Sequence, residues 1–161
     1  MKNLGKPGRG ACVARADFRF VHTLRVRWSE VDKQGIVFNG HYLTYFDVGV
    51  TEYYRAIGKP YPDSIVSEDA DLYAKRAEIE FQASAEYDDL VDICVRVGRI
   101  GRSSFEFRIE LYRGDELLVS GALIYVNANP ATRKSTPLPD DLTNAFRDYE
   151  SLPPEESAAK R

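Results

Sequence analysis

Residues 41–57 form the one long stretch of this chain whose apolar residues recur at helical spacing. The recurring residues form a wide, mainly aromatic stripe: Tyr42, Tyr45, Phe46, Gly49, Val50, Tyr53, Ala56 and Ile57. Asn39 is a suitable N-cap for this helix, Gly58 suits the left-handed position after its end, and Pro60 prevents continuation. A stripe this wide predicts a helix that is covered by something larger than one neighbouring element.

The other patterned segments alternate between apolar and polar residues with the two-residue period of β-strands. They lie at residues 18–28, 76–83, 91–98 and 105–111, and a more evenly apolar segment follows at 117–126. The last three connections between them, EYDD, IGRS and RGDE, are short, which predicts antiparallel hairpins. Residues 137–149 predict a final short helix.

This order predicts an α+β fold in which a five-stranded antiparallel sheet wraps around one long central helix. With 161 residues the chain fits one domain, expected at residues 17–150 between flexible tails at 1–16 and 151–161. Such a sheet leaves its edges and part of its surface uncovered, so we expect self-association.

Composition excludes several classes of function. The net charge of −3 argues against general nucleic-acid binding, and no apolar run approaches the length of a membrane helix. Cys12 and Cys94 fall in the N-terminal tail and in a strand, so a structural disulfide is not expected and a cytoplasmic location is. Two cysteines without ligand spacing and only two histidines also predict no metal site.

The sequence VDKQGIVFNGHY, residues 31–42, carries the strongest candidate for chemistry. Asp32 precedes Gly35, which permits a tight turn, and the helix follows directly. The first turn of a helix offers unpaired backbone N–H groups, near Asn39 and Gly40, that suit a carbonyl oxygen gaining negative charge. Asp32 could then act as general base or as nucleophile beside the same carbonyl. The competing interpretation is a turn carboxylate that bonds nearby backbone.

Three neighbouring side chains admit two interpretations each. Glu30 points the same way as Asp32 on an extended chain, and it is either a second acid or a solvated carboxylate at the strand end. His41 is either a substrate contact or a surface residue. Tyr42 either lines an aromatic substrate pocket or packs in the core. His22, on the apolar face of the first strand, is interpreted as a packed residue.

The stretch VRWSEVDKQGIVFNGHYLTYFDVG resembles the signature of the 4-hydroxybenzoyl-CoA thioesterase family, within the hotdog-fold superfamily. The resemblance continues through residues 78–142 and includes the sequence IGRSSF between two later strands. Taken together, it covers residues 18–142.

The resemblance implies a sheet-wrapped helix, homodimers or homotetramers, and hydrolysis of acyl-CoA without a cofactor. It implies that Asp32 is the catalytic carboxylate and that backbone N–H groups at Asn39 and Gly40 hold the oxyanion. It further implies a turn near the CoA phosphates, formed by Gly101, Arg102, Ser103 and Ser104. Many family members have histidine or tyrosine where this chain has Asn39, a difference that a backbone donor tolerates.

Three rival functions remain open on the same residues. The first is hydrolysis of acyl groups carried on a carrier protein, and the second is non-catalytic binding of acyl-CoA or lipid. The third is a hotdog hydratase, which would use an Asp–His pair that His22 and His41 do not clearly match.

Overall fold

The computed structural model describes residues 14–157, in which six strands and two α-helices are connected by loops and two single-turn 3-10 helices. In chain order these are the 3-10 turn Arg15–Asp17, β1 (Phe20–Arg25), the 3-10 turn Trp28–Glu30, α1 (His41–Ala56), β2 (Asp71–Phe81), β3 (Leu90–Ile100), β4 (Ser104–Arg113), β5 (Glu116–Ala128), α2 (Asp140–Tyr149) and β6 (Glu155–Glu156). Five strands form an antiparallel sheet in the order β1-β3-β4-β5-β2, and β6 adds a two-residue parallel pairing to β3. The predicted α+β fold is confirmed.

The helix α1 is the centre of the hydrophobic core. Its aromatic residues Tyr45, Phe46 and Tyr53 are almost completely buried. They pack with the inward side chains of the sheet: Val91, Ile93, Val95, Phe105, Phe107, Ile109 and Leu111. The predicted wide stripe is therefore buried because the curved sheet covers several sides of the helix at once.

The connection between β2 and β3 differs from the predicted hairpin. β2 pairs only with β5, while the neighbours of β3 are β1, β4 and β6. Residues 82–89 instead cross from one edge of the sheet to its other half. On the way Ala85 accepts a hydrogen bond from the Val37 N–H (2.9 Å), and Glu86 bridges Ile36. A short connection therefore did not imply neighbouring strands. This segment instead pairs with the residues just before α1.

The first strand is shorter than its alternation predicts. It ends at Arg25, and Trp28, which continues the apolar alternation, lies in a 3-10 turn with 76% of its surface exposed. The predicted N-cap is also wrong. Gly40 occupies the N-cap position of α1, and no side chain bonds there. The left-handed residues Gly35 (φ 80°) and Gly58 (φ 72°) are where the sequence places them.

The described part of the C-terminal segment lies against the sheet, whereas the sequence assigns it to a flexible tail. The buried Arg96 donates to the Leu152 carbonyl (3.0 Å), and the Ser157 N–H donates to the Ile100 carbonyl (2.9 Å). β6 thus extends the edge of the sheet beyond the start of β1. Within residues 14–157, no helix is both long and apolar enough to cross a bilayer.

Candidate active site

A small hairpin at residues 30–38 carries the candidate carboxylate. The Phe38 N–H donates to the Glu30 carbonyl (2.9 Å), and Val31 bridges Val37. The Asp32 N–H donates to the Ile36 carbonyl (2.9 Å), and Gly35 takes the turn with its positive φ. Because α1 follows only two residues after Phe38, the hairpin and the helix start form one continuous unit.

Asp32 is half-buried, and its two carboxylate oxygens have different surroundings. Oδ1 accepts the Gln34 N–H at 2.7 Å, an Asx-turn that fixes the side chain to its own loop. Oδ2 has no hydrogen-bond partner among the described residues. The turn interpretation and the catalytic interpretation are therefore compatible, because one oxygen orients the group and the other is free to meet a ligand.

The segment just before α1 offers free backbone donors. The N–H groups of Asn39 and Gly40 make no hydrogen bond within residues 14–157, and both residues are exposed. The next N–H, that of His41, already donates to the Phe38 carbonyl (2.9 Å). Free N–H groups at the positive end of a 16-residue helix are suited to an anion or to a developing oxyanion.

Glu30 is not the solvated carboxylate that was one expectation for it. Only 3% of its surface is exposed. It accepts the Tyr45 O–H at 2.6 Å, the Arg27 N–H at 2.8 Å and the Arg27 guanidinium. Burial raises the pKa of Glu30, but the hydrogen bonds from Tyr45 and Arg27 outweigh it and hold the pKa below its ordinary value.

His41 and Tyr42 have different positions at the start of the helix. His41 is half-buried, with its ring edge-on to Phe38 at 6.0 Å between centroids. Tyr42 is buried, packs on Phe81 and accepts the Ala85 N–H on its hydroxyl at 2.9 Å. Tyr42 therefore holds the crossing segment against α1, and only His41 is open to a ligand.

The turn at residues 101–104 lies far from Asp32 within one subunit. It joins β3 to β4, with a hydrogen bond from the Gly101 N–H to the Ser104 carbonyl (2.7 Å). Its neighbours are Asn127 and Leu138, whose N–H groups donate to the carbonyls of Ser103 and Arg102. The hairpin of Asp32 lies at the opposite end of β3, whose 11 residues span roughly 35 Å. One subunit therefore does not bring the two predicted groups together.

A cavity of about 170 Å³ beside α1 was not foreseen from the sequence. It is lined by Asp47, Val50, Thr51, Tyr54, Tyr61, Leu72 and Tyr125. The Tyr54 hydroxyl is buried there without a hydrogen-bond partner in the described part of the chain. Burial, followed by nearby groups that include Asp47, raises the pKa of Tyr54 far above its ordinary value. An orphaned hydroxyl in an otherwise packed interior points to a missing polar partner.

This cavity lies on the same side of α1 as the free N–H groups at the helix start, but about 10 to 21 Å further along the helix. Gly40, Leu43, Asp47 and Tyr54 are three, four and seven residues apart, so they follow one side of the helix. Leu43 and Asp47 are exposed along this line. The sequence contained the signal, because these residues lie beside the predicted apolar stripe, but the orphaned hydroxyl depends on how β5 and the loop after α1 fold over the helix.

Comparison with known proteins gives one consistent family. A model described as "Thioesterase superfamily" matches residues 34–120. A protein of Aquifex aeolicus (strain VF5) is 27% identical over 96 residues, which cover 60% of this chain and 74% of that protein. The acyl-CoA thioesterase YbgC of Haemophilus influenzae is 22% identical over 130 residues, or 81% of this chain and 96% of that one.

Among solved structures, the fold is similar to that of Slr0204, a 1,4-dihydroxy-2-naphthoyl-CoA thioesterase from Synechocystis. The TM-score is 0.75 at 21% identity, and the match covers 80% of this chain and 96% of that chain. At this identity the likeness shows the fold alone.

Proposed function

The chain belongs to the thioesterase superfamily, and from that premise we propose that it hydrolyses an acyl-CoA thioester to the free acid and CoA. One observation carries the proposal. The unpartnered Oδ2 of Asp32 and the unbonded N–H groups of Asn39 and Gly40 lie in a single hairpin-to-helix unit. A carboxylate and preorganised amide donors are the two groups that a thioester carbonyl needs.

In the proposed reaction, the carbonyl oxygen of the thioester accepts hydrogen bonds from the N–H groups of Asn39 and Gly40. Asp32 takes a proton from a water molecule whose oxygen attacks the carbonyl carbon. The tetrahedral intermediate then collapses, the C–S bond breaks, and the CoA thiolate leaves and is protonated. Direct attack by Asp32, through an anhydride that water then opens, uses the same groups.

The cavity at Tyr54 does not adjoin the proposed carbonyl site. Its walls include Leu72 and Tyr125, and its polar end offers the free Tyr54 hydroxyl and the Asp47 carboxylate. Tyr54 follows Gly40 by 14 residues, about 21 Å along the helix, which is much longer than a hydroxybenzoyl group. The fold neighbour Slr0204 is named for a dihydroxynaphthoyl substrate, and the sequence resembles the 4-hydroxybenzoyl-CoA thioesterase family. From these two likenesses alone, and with no part for the Tyr54 cavity, we propose a hydroxyaryl-CoA substrate.

A homodimer would complete the site. β2 is an edge strand of 11 residues, and such edges pair readily with another chain. Its Phe81 end packs on Tyr42 at the start of α1, and its Asp71 end pairs with Ala128 near the turn at residues 101–104. Antiparallel pairing of two β2 strands would bring Asp32 of one subunit towards the partner subunit's turn, where Arg102 is exposed. A tetramer and a cytoplasmic location stay predictions from the sequence.

The test is a hydrolysis panel in which released thiol is measured for hydroxyaryl, unsubstituted aryl, short-chain and long-chain acyl-CoA. We expect the highest kcat/KM for a hydroxyaryl substrate. Faster turnover of acyl groups on carrier protein would favour the carrier-protein hydrolase, and tight CoA binding without any hydrolysis would favour the binding module.

A further inference from the structure

Glu30 is a buried carboxylate that the proposed reaction does not use. Glutamate is almost never fully buried unless it is paired, and all the hydrogen bonds that pair Glu30 come from two residues. Oε1 accepts the Arg27 Nε (2.8 Å) and Nη2 (2.5 Å) atoms, and Oε2 accepts the Arg27 N–H (2.8 Å) and the Tyr45 O–H (2.6 Å). Because both oxygens are engaged, Glu30 is poorly placed to take a proton from water.

These bonds connect three pieces of the site. Arg27 lies before the hairpin, Tyr45 lies in the second turn of α1, and the Glu30 carbonyl accepts the Phe38 N–H that closes the hairpin. Glu30 is therefore the point at which the hairpin of Asp32 is fixed to the helix whose start carries the free N–H groups. We call the hydrogen bonds of Glu30 with Arg27 and Tyr45 the Glu30 joint. A change in this joint would change the distance between the Asp32 carboxylate and the amide donors at the start of α1.

We propose that Glu30, acting through its hydrogen bond with Tyr45, is a positioning residue that holds the hairpin of Asp32 in register with the start of α1. The proposal rests on the proposed function, since it assigns Glu30 a part in setting the geometry of that same site. Displacement of a reacting group by about 1 Å can lower a rate by about 100-fold, so a joint of this kind has a measurable effect on turnover.

The molecule contains a matched control for this joint. Near the other end of α1, the Tyr53 O–H donates to the buried Glu150 carboxylate, also at 2.6 Å. Glu150 in turn accepts the Val97 N–H (2.7 Å). Both pairs are buried bonds between a helix tyrosine and a glutamate, but only the Tyr45 pair is attached to the hairpin of Asp32.

The kinetic test compares Tyr45→Phe with Tyr53→Phe on the best substrate of the panel. We expect Tyr45→Phe to lower kcat by about 10-fold or more with KM within about twofold, and Tyr53→Phe to leave kcat within about twofold. Glu30→Gln, which keeps an acceptor oxygen, should retain more turnover than Glu30→Ala. Equal kcat values for the two tyrosine variants would overturn the proposal, because a merely structural bond would affect both alike.

Amide hydrogen exchange provides a readout that needs no substrate. Tyr45→Phe should speed exchange of the Phe38 N–H and leave the Val97 N–H protected, and Tyr53→Phe should do the reverse. Unchanged protection at Phe38 in Tyr45→Phe would overturn the positioning role. If no thioester is hydrolysed while Phe38 responds as expected, the proposed function fails and the joint itself stands.

Discussion

Glu30 and Asp32 are two residues apart, but their carboxylates have opposite environments. Glu30 is buried and fully hydrogen-bonded, whereas Asp32 is half-buried with one oxygen free. A third carboxylate, Glu150, is buried at the far end of α1, and its Oε2 has no partner within residues 14–157. Exposure and hydrogen bonding together therefore decide whether a carboxylate is structural or available for chemistry.

Replacement of Asp32 by asparagine tests the catalytic assignment. The change keeps the size of the side chain and an acceptor for the Gln34 N–H, but it removes the base. We expect kcat to fall by about 100-fold or more while substrate binding is retained. Asp115→Asn, at an exposed turn residue, is the control. Turnover near the wild-type level in Asp32→Asn would exclude Asp32 as the catalytic carboxylate.

The two buried glutamates predict opposite effects of pH on stability. The pKa of Glu30 is lowered on folding, so its contribution is present above the ordinary glutamate pKa of about 4.3 and is lost as the pH falls through the lowered value. Burial raises the pKa of Glu150, so its contribution is present below about 4.3 and is lost as the pH rises through the raised value.

Denaturant unfolding of Glu30→Gln and Glu150→Gln between about pH 3 and pH 8 measures these effects. The stability advantage of the wild type over Glu30→Gln should shrink on acidification, and its advantage over Glu150→Gln should shrink as the pH rises. Parallel pH profiles for the two variants would contradict the assigned directions.

The helix α1 and the strand β3 approach each other closely at Gly49. A Cβ added at Gly49 would lie 2.5 Å from Ile93 Cγ2 and 3.1 Å from Val95 Cγ2, so only glycine lets the helix lie this near to the strand. Tyr42, Tyr45 and Phe46 belong to the same core cluster as Ile93 and Val95. The approach of α1 to β3 therefore depends on a residue without a side chain.

The substitution Gly49→Ala has two opposing effects on the free energy of unfolding, one through helix propensity and one through packing. Alanine favours a helix by about 1 kcal/mol over glycine, whereas overpacking costs about 1–3 kcal/mol. We expect a net loss of stability in denaturant unfolding, because the clash is with a branched side chain on a central strand. In the double variant with Ile93→Ala, the added cost of Gly49→Ala should fall. An additive cost would show that Ile93 is not the obstacle.

For the whole molecule, the sheet separates the two halves of the proposed site. The hairpin of Asp32 and the turn that contains Arg102 lie at opposite ends of β3. The edge strand β2 runs between the same two ends. A two-fold dimer through β2 is the arrangement that would join the halves without any change within a subunit.

Mixing two impaired variants tests this arrangement. Asp32→Asn should reduce kcat and Arg102→Ala should raise KM. In mixed dimers one site would contain both changes and the other neither. At substrate concentrations well below the raised KM, reassociation of equal amounts should therefore restore about a quarter of wild-type activity. No recovery, in mixtures shown by mass to contain mixed dimers, would place both groups in the same subunit.

Much of the fold was predictable because buried residues recur along the sequence with the period of a helix or a strand. The central helix, the strand segments and the left-handed glycines at 35 and 58 followed from spacing and backbone preference alone. The predicted hairpin between β2 and β3 failed, because a short connection specifies only that two ends are near each other. Trp28 was wrongly predicted to belong to the first strand. It is exposed, but its position in the sequence continues the apolar alternation of that strand.

The candidate site was predictable only in part. Asp32, Asn39 and Gly40 are local in the chain, so a sequence pattern could identify them together. The partners of Glu30, the orphaned hydroxyl of Tyr54 and the remoteness of Arg102 depend on residues that lie far apart in sequence.

The sequence by itself determined which segments are helix and strand, and which short stretch combines a carboxylate with helix-start amides. These properties depend on side-chain periodicity and on backbone preferences within a few residues. Only the tertiary structure decided which carboxylate is buried, which hydroxyl lacks a partner and which end of the sheet each group occupies. Those outcomes depend on strand order and on the curvature of the sheet around α1, which bring distant residues into contact or keep them apart.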